Sequence, residues 1–251
     1  MSTNKIMYAA LVVVTLVTAC AEQYSETYNI QGNSSVSVLD GSKLYLKVLV
    51  NEELKSIDSC EVVHGGFGFS GQLDSTRIAM LTIREGGMPL VIEKGDIKVS
   101  IDKTGNKVSG TPLNEKLYDY IDKHIQIDNL RGELGHKEAQ MILDGIDERT
   151  IGQTLSMESQ RLVMQKDSLE TSFILANLDN VLGPFAFQML TSDYPYPKLT
   201  AQIEEILGKA NDRFKNDPYV KDYCAKAKEI VARMMGEIDD EQASVADTSA
   251  E

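Results

Sequence analysis

The sequence predicts an α+β fold, an N-terminal antiparallel β-sandwich followed by a mostly helical region. Three observations carry this. From Tyr24 to about Gly110 the chain is rich in β-branched residues and punctuated by Gly and Asp. Glycine-centred turns cut that stretch into short runs at close spacing. Beyond Gly110 the period lengthens to that of a helix, with no further strand signal. Strands first and helices second give α+β and not alternating α/β.

The strand series begins with Tyr28–Gly32 and continues with Lys43–Val50 after the turn signal Asp40-Gly41. Ile57–Val63 leads into Gly65-Gly66, and Phe67-Gly68-Phe69 follows. Ile78–Ile83, Pro89–Glu93 and Ile97–Ile101 complete it, separated by Gly86-Gly87 and Gly95-Asp96. No helical stretch long enough for a crossover lies between them, which argues against a parallel sheet.

Leu113, Leu117, Ile121 and Ile125 recur every fourth residue and predict one apolar helix stripe, started by Thr111 or Asn114. Helical composition runs on to Leu182, with breaks expected near Gly132 and Gly135 and a stop at Gly183-Pro184. Leu199, Ile203, Ile206 and Leu207 predict a short amphipathic helix. In the last helix Asp217 is the cap and Pro218 fits the first turn, while Val220, Cys224, Ala227, Val231 and Met234 share a face.

The N-terminus speaks to location. Lys5 precedes an apolar run, Ile6–Val14, that closes on Val17-Thr18-Ala19-Cys20. A transmembrane helix needs about 20 apolar residues, so this shorter, threonine-interrupted run reads as a secretion signal. Its end resembles the lipobox of bacterial lipoproteins, and that resemblance implies acylation of Cys20 as the first residue of the mature chain. The expected organisation is a signal peptide at 1–19, a tether at 20–25, the sandwich at 26–112, the helical region at 113–236 and an acidic disordered tail at 237–251. The expected location is the cell envelope, on a membrane through the lipid anchor.

The formal charge of −13 moves to −14 once residues 1–19, with Lys5, are removed. Such a body gains nothing from anionic lipid, so acyl chains would do the anchoring. Nucleic acid is an unsuitable partner, because no lysine- or arginine-rich stripe is present. With Cys20 acylated, Cys60 and Cys224 remain as a candidate redox pair, 164 positions apart. Cys224 on an apolar helix face favours inert thiols. There is no Cys-x-x-Cys.

Candidates for chemistry are sparse. His64 lies in a strand turn and His136 in an expected loop, while His124 reads as a solvated helix position four residues before Asp128. Asp144 and Glu148 repeat that spacing, but zinc needs three or four ligands, so no metal site and no cofactor is expected. Gly65-Gly66-Phe67-Gly68 lacks the helix and the lysine of a phosphate loop. Tyr194-Pro195-Tyr196-Pro197 reads as a stiff connector between helices or, with His64, as a binding surface for an envelope protein or an extracellular ligand.

Several segments, among them Tyr28–Gly32, Asp40–Leu46, Gly66–Gly71, Ile92–Ile97 and Val108–Asn114, resemble an envelope lipoprotein domain of unknown function. Ala176–Pro184 and Asn216–Val220 extend the likeness into the helical half. That domain usually stands N-terminal to TlpA/AhpC-TSA thioredoxin-like domains. In such relatives the helix corresponding to Pro218–Met235 leads into the catalytic domain with paired cysteines, whereas here Gly236-Glu237-Ile238-Asp239-Asp240 follows. The resemblance therefore implies a binding or accessory module without a catalytic centre. The alternative it implies is an accessory subunit serving a thiol–disulfide system in trans, with Cys60 and Cys224 as the exchangeable pair. The junction between the β and α parts is the expected binding surface.

Overall fold

The computed structural model describes residues 26–50, 53–84 and 86–236. The segment 1–19, Cys20, the tether 20–25 and the acidic stretch 237–251 lie outside them. The fold is α+β. Strands β1 (Thr27–Ser34), β2 (Lys43–Val50), β3 (Glu53–Glu61), β4 (Gly66–Gln72), β5 (Arg77–Ile83), β6 (Gly86–Ile92), β7 (Gly95–Asp102) and β8 (Gly105–Ser109) build two four-stranded sheets. Their orders are β4-β1-β7-β8 and β3-β2-β5-β6.

Period-two alternation sets the core. Leu44, Leu46 and Val48 of β2 face Ile30 of β1 and Ile97 and Val99 of β7, joined by Leu81 and Leu90. Gly32 lies under the Phe67 ring, and a Cβ there would sit 2.0 Å from it unless the ring moved aside. Both sheets are antiparallel apart from one strand pair. β1 and β7 pair in parallel, Tyr28 opposite Gly95 through Ser34 opposite Ile101. The path between them runs through every strand of the second sheet, so those strands supply the crossover that a helix supplies elsewhere. β8 is also additional to the expected strands.

The two ends of the sandwich are distinct. At one end Ser34 donates its N–H to the Gly65 carbonyl at 2.7 Å, and Gly41 donates to Val62 at 2.8 Å. Gly65 has φ +78°, and a Cβ on it would lie 2.7 Å from the Ser34 carbonyl oxygen. Ser34, Lys43 and Glu61 therefore share this end. Since β1 runs towards it and β2 away from it, Thr27 and Val50 lie at the opposite end, where Leu73 donates to the Glu26 carbonyl. The β2–β3 hairpin projects there beyond its neighbour, because β5 pairs only as far as Val48. Leu46 pairs with Asp58 and Lys47 with Ser56, which leaves Ile57 as the extra residue of a bulge.

Six helices follow: α1 (Pro112–Leu143), α2 (Glu148–Ala176), α3 (Leu182–Ser192), α4 (Ala201–Lys209), α5 (Asp212–Lys215) and α6 (Pro218–Met234). Thr111 is the N-cap of α1 by position, but Glu93 caps it, accepting from the N–H groups of Leu113 at 2.8 Å and Asn114 at 3.0 Å. A carboxylate there also complements the helix dipole. Asn114 contacts Val91, and Tyr118, one turn on, donates to the Pro89 carbonyl at 3.0 Å. α1 thus doubles back along β6. At about 1.5 Å per residue it is roughly twice the length of a seven-residue strand, so its second half extends past the far end of the sandwich.

Other helical expectations need correction. α1 continues through Gly132 and Gly135, so His136 is helical and not in a loop. Exposed glycines cost only about 1 kcal/mol each, and the helix formers around them outweigh that. Asp144 and Glu148 fall on either side of the α1–α2 turn. Gly183-Pro184 does not stop a helix but sits in the first turn of α3, where the missing proline N–H has no intrahelical role. α6 keeps its expected cap, Asp217 accepting from the N–H groups of Tyr219 and Val220. Only Val220, Cys224 and Ala227 of its apolar face pack, while Val231 and Met234 run into solvent. Phe187, Phe214, Tyr223, Ile203 and Ile206 form this second core.

Candidate functional site

The residues nominated by sequence do not converge. His64 is exposed at the glycine turn between β3 and β4, in a left-handed conformation with φ +52°. Tyr194 and Tyr196 lie in the α3–α4 connector, which Tyr223 fixes: its hydroxyl accepts from Lys198 N–H and donates to Lys198 C=O, both at 3.0 Å. Only Tyr196 is exposed. Tyr194 is half-buried against the second core with the Lys198 ammonium 4.2 Å from its ring centre, and desolvation pushes its phenol up. The two tyrosines therefore do not form an exposed pair.

Cys60 and Cys224 are free thiols, Cys60 on β3 against the sandwich core and Cys224 on α6 against the helical core. Burial pushes both thiols up. At the β–α junction α1 packs its first turns on the sandwich core through Leu113, Leu117 and Tyr118. Asn114 is fully buried there, bonded to Val91, Thr111 and Glu93. Among the described residues, no three His, Cys, Asp or Glu side chains form a metal-ligand group.

The structure instead builds a site on α1, α2 and α4. His124 is mostly buried, and each of its ring nitrogens meets a carboxylate. Nδ1 lies 3.2 Å from Asp128 Oδ2 on the same helix, and Nε2 lies 3.0 Å from Glu170 Oε1 on α2. Glu170 is 3 % exposed, and its second oxygen accepts from Gln202 Nε2 of α4 at 3.1 Å. Lys166 pairs with Asp128 at 3.0 Å. Both contacts of His124 are hydrogen bonds at once only when the ring carries two protons or one carboxyl carries its own. Below the network Tyr120 stacks on Phe173 at 4.1 Å, and burial, then the charges of Glu170 and Asp128, push its phenol up.

This network backs a shallow groove of about 390 Å³ between α2 and α4. Its walls carry the hydroxyls of Ser168, Thr171 and Ser172, the Gln202 amide, and the carboxylates of Asp167 and Glu205. The groove wall desolvates the Asp167 carboxyl and Glu170 adds its charge, so Asp167 is held above the ordinary carboxylate range. A second shallow hollow, about 370 Å³, lies on the outer face of the first sheet beside Gln31, Lys98 and Lys107.

Sequence spacing pairs His124 with Asp128 but misses Glu170, 46 positions away. The available signal was positional. Glu170 stands eight residues after Leu162 and four before Ile174, on the face that α2 buries.

No curated protein and no solved structure matches this chain. A family model matches residues 28–117, so the match ends within the first turns of α1. The model matched is that of a family described as Domain of unknown function (DUF4369), and the matched residues run from β1 into the opening of α1.

Proposed function

We propose that the chain is a lipid-anchored protein of the cell envelope whose folded body is a binding module and not an enzyme. Acylated Cys20 is the anchor, and the α2–α4 groove is the binding surface, for an envelope protein or an extracellular ligand. The observation that carries the reading is how Glu170 is used. Both its oxygens are taken, one by His124 and one by Gln202, so the carboxylate holds the groove wall in shape and offers neither oxygen to a ligand. The hydroxyls and carboxylates in front suit a cationic or hydroxyl-bearing partner. The raised thiols of Cys60 and Cys224 oppose exchange chemistry at neutral pH, so an accessory role beside a thiol–disulfide enzyme would be one of docking.

A photo-crosslinking side chain at position 205, used in intact cells, tests this. A discrete adduct that is lost with Asp167→Lys supports the groove as the binding surface. An adduct pattern identical to that from position 103, in the β7–β8 turn, contradicts it.

A further inference from the structure

We draw no further inference here: the strongest candidate, the face of the α1–α2 hairpin outward of the Asp128–Lys166 ion pair, on which Gly132 and Gly135 of α1 and Ser156 and Ser159 of α2 follow at helical spacing, is a stripe of small residues, and nothing in the structure shows what covers it.

Discussion

Asn114 completes both backbone hydrogen bonds of Val91, its Nδ2 donating to the carbonyl and its Oδ1 accepting from the N–H, each at 2.8 Å. β6 is an edge of its sheet, and the amide does there what the next strand would do. One side chain thus seals a sheet edge and locks the first turn of α1 against it. Asn114→Ala leaves both Val91 groups buried and unpaired, and a loss of about 2–4 kcal/mol is expected by chemical denaturation. A loss under about 0.5 kcal/mol would contradict the assignment.

His124 and Glu170 are coupled in the same sense across α1 and α2. His124→Leu strands a buried carboxylate, and a destabilisation of about 2–3 kcal/mol is expected. Adding Glu170→Leu should restore most of it, because the charge that needed a partner is gone. A double-mutant cycle measures this, and simple additivity of the two losses would refute the coupling.

Asp167 gives a pH signature. Its folded carboxyl is raised above the unfolded one, by desolvation first and the Glu170 charge second. The folded state therefore holds the proton more tightly. The stability this contributes is present below the unfolded pKa and is lost as pH rises through the folded one. Asp167→Asn should leave stability unchanged in strong acid and raise Tm relative to the parent above the carboxylate range. A Tm difference that shrinks as pH rises would reverse the sign and contradict the account.

The thiols should be slow. Burial raises both Cys60 and Cys224, so little thiolate exists at neutral pH. Native protein that has never met reductant should titrate with two free thiols besides Cys20, each alkylated more slowly than free cysteine until pH exceeds the ordinary thiol range. Rapid alkylation at neutral pH, or a thiol count that rises on reduction, would reopen an exchange role.

The sequence shows some of this architecture directly. β2 is legible because Leu44, Leu46 and Val48 alternate cleanly with outward residues, and α6 because Asp217-Pro218 marks its start. β8 hides because Gly105–Ser109 contains one apolar residue, Val108, and it pairs as a polar rim strand. The parallel β1–β7 pair is a property of chain path, which no local pattern encodes. α3 is masked by Gly183-Pro184, a pair that reads as a stop although its place in the first turn is permitted. The candidate site was half visible. The His124–Asp128 spacing is local, but Glu170 and Gln202 reach it through helix packing over distances that periodicity cannot report.

The proposed role requires that the folded body work while tethered at Cys20. The N-terminal mass of the protein extracted from cell membranes tests it most directly. A chain beginning at Cys20 and carrying acyl groups is the predicted result. An unacylated chain that still contains residues 1–19 would contradict it.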